Sequence, residues 1–212
     1  MRLFFTMAKV YFICIFLLSG FSDSCKSTSA TLADNPVSEV KLSNKQLALI
    51  NSLNRQAQIT TSYNPAYVAI PFPNGDVDST TGVCADVIVR ALRAVDIDLQ
   101  KEIHADISKH FNSYPNIWHS SKPDKNIDHR RVPNIMCYLQ LKGKAVVLST
   151  QNEDYKAGDI VAWKLDNGLY HIGMVSNSSS DENTPLIFHN IGSGTKEADV
   201  LFQWKIIGHY RI

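Results

Sequence analysis

The sequence predicts an α+β domain in which N-terminal helices pack on a central antiparallel sheet of about five strands. Two observations predict it. Between residues 43 and 142 apolar residues recur at helical spacing, and from Ala145 onward the period changes to the alternation of strands. Helices first and strands second is also the order of a segregated α+β domain, not of alternating βαβ units.

The elements follow in order. SNKQ reads as a capping box, with Ser43 as N-cap and Gln46 three residues on, and Leu47, Ile50 and Leu53 make residues 43–60 an amphipathic helix. SYNPAYVAIPFPNGDVDSTTG, rich in proline and glycine, must be a long irregular loop. Its Tyr63, Tyr67 and Phe72 argue for packing against something. Cys84, Ile88, Ala91 and Leu92 share one face of a helix over 83–95, with Thr80 or Thr81 as its expected N-cap. A further helix is expected over 98–112 and a short one near 134–142, with a loop between. AVVLS, DIVAWKL, YHIGMVS, PLIFHNI and WKIIGHYRI read as the five strands.

The N-terminus has a different character. Arg2 and Lys9 precede VYFICIFLLSGF, an apolar run of 12 residues. That is short for a bilayer span and fits the core of a signal peptide. Cleavage after Ala30 would release a soluble protein. Alternatively SDSC is a degenerate lipobox, which makes residues 1–24 the leader and Cys25 a lipid anchor. Residues 25–42 then form a flexible tether and 43–212 a single domain. Either route places the protein outside the cytoplasm, in the periplasm or outer envelope. The formal net charge of +1 gives no reason to expect nucleic acid as a partner. A monomer is expected.

Four cysteines occur in the chain, and Cys14 and Cys25 belong to the leader and its edge. Cys84 and Cys137 remain for the domain, so an exported protein offers one disulfide pairing against two free thiols. Cys84 in a first helical turn invites a lowered thiol pKa and nucleophilic chemistry. The same position on an apolar stripe also suits a core cysteine.

Two histidines weigh on that choice. In YHIGMVS, His171, Gly173 and Val175 share a face. In LIFHNI, Ile187 and His189 do. A hairpin centred on Ser180 sets His171 directly opposite His189, on the face the helices should cover, and a two-residue slip leaves them diagonal. One imidazole would take a proton from the thiol and the other orient it. Gly173 would leave space beside His171 for substrate or the approaching helix.

A cysteine at a helix start, an H-[IV]-G-[IM]-V strand and a polar residue on the next strand resemble the NlpC-type, papain-like cysteine peptidases of bacterial cell walls. AGDIVAW resembles their strand start. YNPAYVAIPFPNGDV, GVCADVIVRALR, NIDHRRVPN, AGDIVAW, HIGMVS, LIFHNIG and HYRI together resemble the bacterial domain of unknown function 1287, over roughly residues 55–212. The first resemblance implies a papain-like fold with Cys84 as nucleophile, His171 as general base and His189 as orienting residue. The implied activity is an amidase or peptidase acting on envelope peptides, most plausibly peptidoglycan stems, with no cofactor. Val83, Ala85 and Asp86 depart from the Asp-Cys-Ser-Gly of many wall peptidases, whose Asp helps recognise a free peptide amine, so the resemblance does not imply their dipeptide specificity here.

Other groups have weaker readings. Tyr63 is a substrate-binding candidate. His129, Arg130 and Arg131 would clamp a substrate carboxylate, or else form a structural ion pair. Asp159 is expected to cap or pair locally, and Asp76 and Asp78 to make a turn, not a calcium loop. Tyr114 and Trp118 would line a groove or pack. Two rival functions stay open: a zinc-dependent hydrolase with Cys84, His171 and His189 as ligands, and a cell-wall binding module without turnover.

Overall fold

The computed structural model describes residues 41–212. The leader, both processing sites, most of the tether, Cys14 and Cys25 lie outside the described residues. No helix among the described residues is long and apolar enough to cross a membrane.

Helix α1 (Asn44–Ile59) carries the expected capping box. Ser43 Oγ accepts the Gln46 N–H, and Gln46 Oε1 accepts the Ser43 N–H. Its buried Leu49, Ile50 and Leu53 pack on α2 (Cys84–Arg93). Between them runs the irregular loop, framed by a two-residue parallel pair, β1 (Ser62–Tyr63) and β2 (Thr81–Gly82). The fully buried Gln100 holds this loop down, accepting the Gly75 N–H and donating to Pro71 O. Gln100 belongs to α3 (Leu99–Lys109), which Asp98 caps by accepting the Gln100 N–H. Pro133 sits in the first turn of α4 (Val132–Leu141), where a missing N–H costs nothing.

The main sheet has five antiparallel strands: β3 (Ile160–Lys164), β4 (Tyr170–Ser179), β5 (Pro185–His189), β6 (Lys196–Ala198) and β7 (Lys205–Tyr210). Their order is β6-β5-β4-β3-β7. Strand alternation divides the two faces. Ile160, Ala162, Ile172, Met174 and Phe188 pack on the helices, with Ile88, Leu92 and Ile103 among the fully buried residues there. Val161, Trp163, Val175 and Ile187 form a second, smaller core with Tyr155, Val200 and Leu201. Trp163 Nε1 donates to Leu201 O, fixing the covering segment.

Two expectations need correction. AVVLS is not a strand of the sheet. It contributes only the bridge Ala145↔Tyr210, and Val147 is 85% exposed. The fifth strand is instead β6, whose Lys-Glu-Ala sequence offers no apolar alternation to read. The β4–β5 hairpin is also offset from the expected centre. Met174 pairs with Phe188 and Val175 with Ile187, and two extra residues of β4 bulge before Ser179↔Pro185.

Candidate active site

α2 begins at Cys84, and neither Thr80 nor Thr81 caps it. Val83 is the N-cap, and its N–H donates to Asp86 Oδ2 at 2.7 Å. Asp86 in turn forms a buried fork with Arg130, Nε to Oδ1 at 2.8 Å and Nη2 to Oδ2 at 2.9 Å. Arg130 also donates to Ala66 O, so one guanidinium ties the helix start to the loop after β1.

The Cys84 thiol does not have the lowered pKa expected of a helix start. Burial pushes it up to about 11, against the contact with the Ile172 N–H, and the Asp86 carboxylate pushes the same way as burial. The residue is 6% exposed. Packing locates the residue: α2 lies against β4, and Cys84 shares the helix-side core with Ile172. Val175 donates to Asp159 O and accepts from Gly158 N–H, so it bonds toward β3. By alternation Ile172 turns its N–H toward β5. The β5 register begins only at Met174↔Phe188. Ile172 thus faces the helices where the ladder to β5 stops, and its neighbour His171 faces the other side of the sheet.

His171 and His189 are brought together. Extending the register puts His189 opposite Gly173 and makes the two histidines diagonal neighbours. His171 Nε2 lies 2.9 Å from His189 Nδ1, both residues are buried, and the ring centroids are 5.1 Å apart. Burial lowers His171 to about 3, assisted by His189, and lowers His189 to about 4. Both rings are thus neutral near pH 7. With His171 Nε2 committed, Nδ1 is its free ring nitrogen.

The rings do not lie on the helix-covered face, as expected, because His171 pairs with Trp163 and shares its face. Trp204 covers them, its ring centroid 5.6 Å from His171 and 6.3 Å from His189. Nor does Gly173 make room for a helix. A Cβ there would fall 2.5 Å from Ile187 Cγ2 and 3.3 Å from His189 Cβ, so the space is used by β5. No hydrogen bond joins the Cys84 sulfur to either ring, and among the described residues no group of three His, Cys, Asp or Glu is placed to hold a metal ion.

Tyr63 is 39% exposed and pairs with Gly82 beside the start of α2, and its phenol pKa is raised by burial, with Cys84 and Asp86 pushing the same way. The proposed carboxylate clamp resolves otherwise. Arg130 is consumed by Asp86, and His129 is buried with its Nδ1 unpartnered and its pKa lowered to about 4 by burial. Arg131 bonds Asp128 at 3.0 Å and lies 4.3 Å over the Trp118 ring. Tyr114 packs and donates to Asp106. Asp159 accepts the Lys156 N–H locally, as expected, and beyond that expectation pairs with the distant His209 and Arg211. Asp76 pairs with Arg90, and Asp78 accepts the Thr80 N–H in a turn. Cys84 and Cys137 are both free thiols, so the disulfide pairing does not form.

Sequence reasoning missed Asn190, which is 1% exposed. Its Nδ2 donates to both Ser62 O and Gly82 O at 3.1 Å. One amide thus fastens the residue after His189 to the segments before Tyr63 and Cys84. Its place beside His189 was the only signal available.

Residues 50–212 match the family model described as Domain of unknown function (DUF1287). The uncharacterized protein YijF of Escherichia coli (strain K12) is 49% identical over 168 residues, covering 79% of this chain and 82% of that protein. Two solved structures overlap the fold. NlpC1 from Trichomonas vaginalis shares 13% identity and a TM-score of 0.43 over 81% of this chain and 45% of its own. A "similar to lipoprotein, NLP/P60 family" structure from Staphylococcus aureus subsp. aureus Mu50 shares 13% identity and a TM-score of 0.39, over 83% and 44%. The chain spans less than half the length of either, and overlaps this low carry no argument about activity.

Proposed function

This chain belongs to the domain of unknown function 1287 family, and we propose that it is an exported cysteine hydrolase that cleaves an amide bond in cell-envelope peptides, with peptidoglycan stems as the substrate class. The observation that supports this reading is the buried His171–His189 pair on β4 and β5, with Cys84 at the start of α2, the helix that packs against β4.

The chemistry follows from those neighbours. With its Nε2–H donated to His189 Nδ1, His171 has a lone pair on Nδ1. The neutral thiol gives its proton to that nitrogen as the sulfur bonds to the carbonyl carbon. The backbone N–H groups of the first turn of α2 face the developing oxyanion. The proton then passes to the departing amine, leaving a thioester. Water attacks it, giving its proton back through His171, and the products are a carboxylic acid and the restored thiol. Tyr63, held neutral beside Cys84, supplies a donor for the substrate. Because the thiol rests protonated in the helix-side core while the imidazoles lie on the other face of β4, substrate binding must bring sulfur and imidazole together at the end of the β4–β5 ladder.

Purified sacculi incubated with wild type and with Cys84→Ala, then compared by mass spectrometry, test the reading. Wild type should release fragments ending at one amide bond, and the variant none. Equal release by both would overturn it.

A further inference from the structure

Trp204 has a second neighbourhood besides the histidines. It forms one wall of a groove of about 630 Å³ that also includes Phe202, Ile206, Ser149, Thr150 and Gln151. That volume lies within the roughly 300–1,000 Å³ of small-ligand clefts. Phe202 is 40% exposed, held edge-on to Tyr155 with ring centroids 5.7 Å apart. No lining side chain is charged. The polar rim belongs to two hydroxyls and an amide, with Ser149 Oγ accepting the Gln151 N–H, Thr150 Oγ1 accepting its side-chain amide, and Gln151 Oε1 left for a ligand.

This lining selects a ligand class. An aromatic floor favours the C–H face of a ring, and a neutral rim of donors and acceptors suits hydroxyl and acetamido groups. A charged peptide stem would find no partner there, and a wholly apolar segment would leave the Gln151 carbonyl and the hydroxyl donors unused. We propose that this groove binds a neutral amino-sugar oligomer, the glycan to which envelope peptides are attached, and presents its peptide toward the histidine pair behind Trp204. The choice of source rests on the function proposed above, whereas binding itself needs no turnover.

The chain has three tryptophans, so an amide correlation spectrum of the ¹⁵N-labelled protein shows three indole signals, and Trp204→Phe identifies one of them. The probes are the N-acetylglucosamine trimer and a sugar-free stem peptide, added to wild type and to Cys84→Ala. The trimer should shift the Trp204 signal in both proteins and leave the buried Trp163 signal in place. Phe202→Ala should weaken binding at least tenfold, and Gln151→Ala, at an exposed rim position, should weaken it several-fold without touching the core. A Trp204 signal unmoved by millimolar trimer, or moved by the stem peptide alone, would overturn the proposal. Trimer binding that persists in a protein with no Cys84-dependent hydrolysis would support the groove and sink only the catalytic reading.

Discussion

Nε2 of His171 and Nδ1 of His189 lie 2.9 Å apart, so only one of the two nitrogens carries the proton between them. For His171 to act as a base at Nδ1, that proton must sit on Nε2 and His189 must accept it. An asparagine at 189 offers an accepting oxygen, and an alanine does not. His171→Ala should lower kcat/KM on an envelope peptide by about 10²–10⁴. His189→Ala should cost less, and His189→Asn should recover part of that loss. Wild-type rates in His189→Ala would remove the second imidazole from the chemistry.

Burial of neutral imidazoles makes stability pH-dependent, and the direction is fixed. His171 is lowered to about 3, and His189 and His129 to about 4, from an ordinary 6.5. Between about pH 6.5 and 4 the unfolded chain takes up protons that the folded chain refuses, so stability falls as pH falls through this window. Each group contributes at most about 1.4 kcal/mol per pH unit. Urea midpoints should be level from pH 8 to 7 and drop steeply from pH 6 to 4.5. His129→Gln should flatten that drop, and an unchanged slope would mean that His129 is protonated when folded.

Alkylation rates against pH test the thiol. Burial raises Cys84 from an ordinary 9.0 to about 11, so the folded protein keeps a thiol where the unfolded chain ionises. Iodoacetamide should react slowly with Cys84 in a Cys14→Ser/Cys25→Ser/Cys137→Ser protein at neutral pH and faster as pH rises toward 11. A substrate analogue that draws the sulfur to His171 should accelerate it near pH 7. A rate plateau already reached below pH 7 in the free protein would show a preformed thiolate. Stability from this group is lost upward, between about pH 9 and 11, the opposite limb from the histidines.

The division between what was legible and what was not is physical. Helix α1 was legible because Ser43, Gln46 and the Leu–Ile stripe are local signals. β6 was not, since Lys196, Glu197 and Ala198 form a strand only because β5 offers an edge. Val146, Val147 and Leu148 look like a strand but, after the bridge to β7 and the Val146 N–H bond to His209 O, the pairing does not continue. The pairing of His171 with His189 was readable from the hairpin, but the bulge that makes them diagonal was not. The burial that defeats the helix-start effect on Cys84, and the capture of Arg130 by Asp86, both come from contacts between residues distant in sequence.

That capture makes a prediction. The Asp86 and Arg130 side chains are 4% and 2% exposed. Removing one partner leaves the other buried and uncompensated, so Arg130→Ala should cost about 3–5 kcal/mol. Asp86→Ala/Arg130→Ala together should cost less than the sum of the single changes. Strict additivity in a double-mutant cycle of urea unfolding would mean that the two do not stabilise each other.

Asn190 separates positioning from stability. Losing its two bonds to Ser62 O and Gly82 O loosens the segments before Tyr63 and Cys84 relative to His189. Each lost bond is worth about 1 kcal/mol. Asn190→Ala should therefore remain folded at 25 °C yet lower kcat by a larger factor than KM changes, because alignment at the sulfur fails after substrate has bound. Kinetics near pH 7, where folding is not limiting, provide the check. A Tm loss with kcat intact would reduce Asn190 to a structural tie.

Gly173 is the tightest position at the histidine pair. A methyl group there meets Ile187 Cγ2 at 2.5 Å and Phe188 O at 3.0 Å, and the second is backbone that cannot rotate away. β5 would have to move off β4, taking His189 with it. Overpacking of this kind costs about 1–3 kcal/mol. Gly173→Ala should lower the urea midpoint accordingly and reduce turnover nearly as far as His189→Ala. The double variant Gly173→Ala/His189→Ala should then be little slower than either alone, since both changes break the same contact. Full multiplicative loss in the double variant would show that Gly173 acts on something other than the imidazole pair.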